Sequence, residues 1–163
     1  MLSRLTEAPV SPELEVVSHV VLEKYLGTWY EIATIPQRFQ RGCVAVTAEY
    51  SLLPNGDIQV INTCREGTLD GKVRSVRGRA RVVDKKTNAK LKVTFFWPFW
   101  GAYWIIGLDP DYRWAIVGHP NRKYLWILSR TPQMDEALYA QLLDFVAARG
   151  YDVGQIRRTL QPV

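Results

Sequence analysis

Eight short segments of this chain carry strand patterning, and turn chemistry separates many of them. They span 29–34, 45–53, 58–65, 73–83, 90–96, 103–109, 114–118 and 124–130. Between them stand Pro54-Asn55-Gly56-Asp57, the polar run 84–88, Asp109-Pro110-Asp111 and Pro120-Asn121. Such residues turn a chain back on itself. Strands joined in this way run up and down, and eight of them can close without leaving an exposed edge. Eight is also the count that leaves room inside for one small ligand. The expected fold class is all-β: an eight-stranded antiparallel up-and-down β-barrel.

Alternation sorts the two faces of each strand. In the second segment Val44, Val46, Ala48, Tyr50 and Leu52 share one side, and Thr47, Glu49 and Ser51 the other. In the fourth, Val76, Gly78 and Ala80 alternate with Arg77, Arg79 and Arg81, which read as a solvated outer wall. The last strands are apolar on both faces, so something must cover their outside. A helix candidate follows at 132–149, with Thr131 as cap, Pro132 in the first turn and Gly150 as the stop. Its stripe of Leu138, Leu142, Phe145 and Val146 is expected to pack on the outside of the late strands. The expected organisation is an N-terminal arm, 1–20, and one domain, 21–163. That domain comprises a barrel at about 25–130, the helix, and a C-terminal tail at 150–163.

At 163 residues the chain can bury a real core. Its aromatic share, 12% with six Trp, suits a packed core or a lined cavity. No stretch approaches the roughly 18 apolar residues of a helical membrane span. A net charge of +5 and a pI near 9.3 favour anionic surfaces or ligands, and are too mild to argue for nucleic acid. Residues 1–10 lack the apolar core of a secretion signal, and no Cys is placed to take a lipid anchor.

Three separated strings carry more. Gly27-Thr28-Trp29, Leu108-Asp109-Pro110-Asp111-Tyr112 and the Arg130 of Ile127-Leu128-Ser129-Arg130-Thr131 resemble the three signature regions of the lipocalins. The longer strings Tyr25-Leu26-Gly27-Thr28-Trp29-Tyr30-Glu31-Ile32-Ala33 and Tyr124-Leu125-Trp126-Ile127-Leu128-Ser129-Arg130-Thr131-Pro132 are similar to the bacterial lipocalins, the outer-membrane lipoprotein group related to apolipoprotein D. The resemblance spans about 21–153. It implies a non-catalytic container for a small hydrophobic molecule, without a cofactor or metal, serving envelope lipid maintenance. It also implies a place in the periplasm or at the inner face of the outer membrane. Without a leader or an anchor Cys in this sequence, the cytoplasm is the alternative expectation.

Parity then separates the barrel's ends. Trp29 begins the first strand and Arg130 ends the eighth, so the two meet at the closed end, where a guanidinium over an indole gives about 0.5–2 kcal/mol. Gly27, Trp29 and Arg130 are read as the structural plug, which is how the resemblance also uses the Trp–Arg pair. Glu31 shares the parity of Trp29 and would need a buried partner unless a bulge intervenes. The odd-numbered loops form the mouth. There Trp97, Phe99 and Trp100, in a loop at 97–102, either fold inward or meet a lipid surface. Arg38, Arg41, Lys72, Arg122 and Lys123 make that rim basic, with Arg65 and Arg74 nearby. Arg74 has the inward parity of Val76 and is the candidate anchor for an anionic headgroup. Cys43 and Cys64 fall at the mouth end of adjacent strands and are expected to form a disulfide, for which a bulge or a folded-over first loop is needed.

The expected cavity wall is Val46, Ala48 and Tyr50 from the second strand, Val60 and Asn62 from the third, and Phe95 from the fifth. Trp104, Tyr124 and Trp126 complete it. Burying an acyl chain yields about 0.8 kcal/mol per methylene. Single-chain lipids hold a bilayer only marginally, so a fatty acid or lysophospholipid is the expected partner. Two alternatives stand beside that one: a tetrapyrrole binder with His119 as haem ligand, and a lipocalin-fold enzyme with a Cys nucleophile. A monomer and a homodimer both fit the sequence.

Overall fold

The computed structural model describes residues 12–37 and 42–163. The chain opens with a short helix, α1 (Leu22–Tyr25), and then eight strands follow. These are β1 (Gly27–Thr34), β2 (Cys43–Leu52), β3 (Ile58–Glu66), β4 (Val73–Val82), β5 (Lys90–Phe96), β6 (Phe99–Leu108), β7 (Trp114–Gly118) and β8 (Leu125–Ser129). Each pairs antiparallel with the next, and β1 pairs with both β2 and β8, so the sheet closes into the expected barrel. Helix α2 (Glu136–Ala147) and a two-residue strand, β9 (Arg157–Arg158), complete the domain.

Two apolar clusters follow from strand parity. Inside the barrel, Trp29, Tyr50, Ile58, Val60, Ala80, Leu91, Ile105, Ala115, Val117 and Leu128 pack together. Outside, Ile106, Ile116, Leu125 and Ile127 meet Leu142 and Val146 of α2. The double-sided apolar strands are thus covered as expected, because a helix stripe and a sheet face each exclude water from the other. Gly150, at φ +89°, ends the helical segment.

Four expectations need correction. The helix cap is Asp135, whose Oδ2 accepts from the Leu138 amide at 3.0 Å. Thr131 instead donates to the Gln133 carbonyl, so Pro132 lies ahead of the helix. The loop expected at 97–102 is a two-residue turn, Trp97-Pro98, with a cis peptide and Phe96 paired to Phe99. Strand β6 therefore starts earlier than its apolar pattern suggests. The N-terminal segment is not a separate arm over its described part: Leu14 and Val20 are buried, and the Val17 amide donates to the Ile105 carbonyl. Nor is the C-terminal stretch a loose tail, because β9 pairs with β1 and Tyr151 and Ile156 are buried under the outer cluster.

Candidate functional site

The closed end is built first by sequence neighbours. One turn of α1 and Gly27, at φ +100°, deliver Trp29 into the barrel, where its indole Nε1 donates to the Tyr25 carbonyl at 2.8 Å. Arg130 lies over the indole face, 3.7 Å from the ring centroid. Its guanidinium donates to the carbonyls of Tyr112, Thr28 and Lys24. One cation therefore ties together the β6–β7 turn, the start of β1 and α1. Gly27, Trp29 and Arg130, the residues expected to form the plug, lie together here.

Above the plug lies a floor that sequence reasoning did not find. The hydroxyl of Tyr103 shares hydrogen bonds with those of Tyr25, at 2.7 Å, and Tyr50, at 2.8 Å. Burial pushes the Tyr50 phenol up to about 12 and holds Tyr25 and Tyr103 well above the ordinary range. All three stay neutral and satisfied. Tyr50 was expected in the wall; it belongs to the floor. The signal for Tyr103 was its parity with Ile105, obscured by an adjoining strand segment that is apolar on both faces.

Toward the mouth the inward positions open. Ala48 pairs with Asn62, and Asn62 with Val76. Val76 has inward parity yet is 37% exposed. Phe95, Val93 and Trp126 pack on the inner cluster only partly buried. Trp126 stacks with Tyr124 at 6.4 Å and 8° between planes. Gly78 has no room for a side chain, since a Cβ would fall 2.6 Å from the Phe95 ring. Val46 is buried at the start of the regular β2 ladder, and Val60 lies deeper, in the inner cluster.

Trp104 must be removed from the expected wall. It alternates with Tyr103 and Ile105, packs on the outer cluster, and carries the Lys90 ammonium 4.4 Å above its ring. Arg122 is likewise not a free rim cation: it donates to the carbonyls of Arg149, at 2.6 Å, and Pro12, stapling the end of α2 to the N-terminal segment. Arg38 and Arg41 lie outside the described residues. His119 accepts from the Asn121 amide through Nδ1, and partial burial lowers its pKa. Among the described residues no cluster of His, Cys, Asp and Glu could hold a metal.

The cysteines are joined, with their Cα atoms 5.5 Å apart. A register shift between Val44 and Thr47, with Ala45 at φ +52°, supplies the bulge that the pairing required. Arg74 lies across this bridge. Its Nη2 is 2.9 Å from Cys43 Sγ, and its Nη1 is 3.8 Å from a Glu66 carboxylate oxygen. At the rim it holds inward parity, but it is already engaged there.

Glu31 finds its partner in the C-terminal stretch. Thr159 Oγ1 donates to Glu31 Oε2 at 2.6 Å, and Gln161 Nε2 donates to the Glu31 and Val46 carbonyls. Burial raises the Glu31 pKa from an ordinary 4.5 to about 7.

This closed eight-stranded barrel with its outer C-terminal helix has counterparts among known proteins. The family model for a lipocalin-like domain matches residues 20–161. The chain belongs to the lipocalins. It is 44% identical to temperature-induced lipocalin-1 of Arabidopsis thaliana, over 91% of this chain and 83% of that one. Outer membrane lipoprotein Blc of Escherichia coli strain K12 is 42% identical, over 95% of this chain and 88% of that one. Apolipoprotein D of Mus musculus is 33% identical, with 92% and 82% covered. In structure, insecticyanin of the tobacco hornworm Manduca sexta superposes with a TM-score of 0.72 at 19% identity, over 92% of this lipocalin and 85% of that chain. That last likeness concerns the fold alone. Lipocalins bind small hydrophobic molecules, and the class of activity follows from membership.

Proposed function

We propose that this lipocalin is a non-catalytic carrier of a single-chain lipid, a fatty acid or lysophospholipid, in maintenance of the bacterial envelope. The carrying observation is the contrast within the barrel. The lower interior is filled by Trp29 and the tyrosine floor, whereas the inward positions above it are mostly apolar and only partly covered. An acyl chain resting there would be shielded from water at about 0.8 kcal/mol per methylene. Single-chain species leave a bilayer easily enough for such a site to compete. The name of the Escherichia coli relative, an outer membrane lipoprotein, supports an envelope location. The exposed aromatic residues at the β5–β6 turn support peripheral membrane contact through Trp97 and Phe99, with Trp100 behind them.

Arg74 is the proposed headgroup anchor, because it stands on the inner face at the rim. A lipid anion there would have to displace Glu66. Native mass spectrometry of gently purified protein, followed by organic extraction, tests the carrier reading. A co-purified single-chain lipid is the expected result, and a pigment in its place overturns the reading. Arg74→Ala is expected to weaken binding of lysophosphatidic acid by about 1–3 kcal/mol and to spare an uncharged analogue. Equal losses for both would remove the anchor role.

A further inference from the structure

A groove of about 560 Å³ lies against the outer wall of the barrel. Arg77, Arg79, Arg81, Thr94, Trp97 and Trp100 are among the residues that line it. Pairing between β4 and β5 runs only from Arg79↔Thr94 to Val82↔Leu91. Toward the mouth the two strands part, and the β5–β6 turn lies beside the arginine row.

Charge and aromatic surface meet here in one place. Arg77, Arg79 and Arg81 recur at every second residue on one face of β4, about 7 Å apart. Arg81 grips Asp57 with two hydrogen bonds, at 3.0 and 2.9 Å, and Arg79 stands 3.8 Å from the same carboxylate. Among the described residues Arg77 has no carboxylate partner. Trp100 lies within cation–π reach of both Arg81, at 5.5 Å, and Lys92, at 4.7 Å. Of these four cations, only Arg79 and Arg81 stand against a carboxylate, that of Asp57, among the described residues. Thr94, which is 8% exposed and lines the groove, carries a buried hydroxyl with no hydrogen-bond partner. Next to this anion-seeking wall, Phe96, Trp97 and Phe99 are 70%, 80% and 77% exposed.

A solvated wall needs no aromatic hairpin beside it, and an apolar partner needs no row of arginines. A bilayer surface bearing phosphate needs both. Trp and Phe settle in the interfacial layer while guanidinium groups take phosphate oxygens in bidentate pairs. We infer that the groove between β4 and the β5–β6 turn, which opens on the outer wall and reaches the inward residues Gly78 and Phe95, is a second lipid site that takes the phosphate headgroup of an anionic phospholipid in a membrane. This deepens the membrane contact proposed above and rests on it. The protein would dock on its β4–β5 flank, with the parted strands turned toward the bilayer.

Co-sedimentation with phosphatidylcholine vesicles, with and without phosphatidylglycerol, tests the site. The wild type is expected to prefer the phosphatidylglycerol vesicles. Arg77→Gln with Arg79→Gln should reduce that binding about 10- to 30-fold, while melting temperature and binding of a fluorescent fatty acid stay unchanged. A charge-matched control at the other end of the barrel, Lys85→Gln with Lys86→Gln, should lose under about threefold. Trp97→Ser should lower binding to both vesicle types, which separates the aromatic contact from the headgroup contact. The inference is overturned if the wild type shows no preference, if the arginine pair can be replaced without loss, or if the control loses as much. It is also overturned if inorganic phosphate, against chloride at equal ionic strength, abolishes the preference, because the site would then be one for the free ion. Loss of fatty-acid binding in the wild type would instead defeat the carrier reading.

Discussion

The two ends of this barrel are made from the same residue types and behave oppositely. At the closed end Trp29 is fully buried, hydrogen-bonded and covered by a guanidinium whose nitrogens reach three carbonyls. At the open end Trp97 is 80% exposed, and the exposed arginine row of β4 runs along the outer wall from the β2–β3 turn toward it. A tryptophan and an arginine are cement where strands converge and a candidate recognition surface where they part. The difference is geometric. Convergence leaves carbonyl groups that need donors, whereas divergence leaves side chains without neighbours.

Replacing the paired tryptophans should break the comparison most sharply. Trp29→Ala is expected to cost about 3–5 kcal/mol, read by urea denaturation, and Trp97→Ser to stay within about 0.5 kcal/mol. Similar losses at both ends would mean that the turn contributes to the core. The next effect lies on β1. Glu31 binds its proton more tightly in the folded state, near 7, than the ordinary 4.5. Its contribution is therefore complete below about 4.5 and lost as pH rises through 7. The expected decline is about 3 kcal/mol. Glu31→Gln keeps an acceptor for Thr159 and should flatten that slope; an unchanged slope would show that Glu31 is not its source. The smallest change tests the floor. Tyr103→Phe removes the one hydroxyl that serves both Tyr25 and Tyr50, at an expected cost of about 1–3 kcal/mol. A cost near zero would mean that water replaces it.

Much of the barrel was legible because pleating is local. The parity of Val76, Gly78 and Ala80 against Arg77, Arg79 and Arg81 needs only the neighbouring residues, and the structure keeps it. The plug was legible because Trp29 and Arg130 end adjacent strands. Trp104 was misread where apolar residues occupy both faces and parity loses its contrast. The helix start was misread because Thr131 and Asp135 are both competent caps, and only tertiary docking of α2 selects between them.

By itself, then, the sequence determined the eight barrel strands, their antiparallel order, most of the inner and outer faces, the covering helix and the meeting of Trp29 with Arg130. These depend on period-two alternation, turn residues and neighbouring strand ends. Tertiary structure alone decided that Thr159 and Gln161 return to Glu31, that three tyrosines from α1, β2 and β6 meet by their hydroxyls, and that the β5–β6 turn lies beside the β4 arginines. Each of those joins residues remote in sequence or on different elements. Which distant polar groups find one another is set by the bends and bulges of the closed sheet, and no local pattern encodes that.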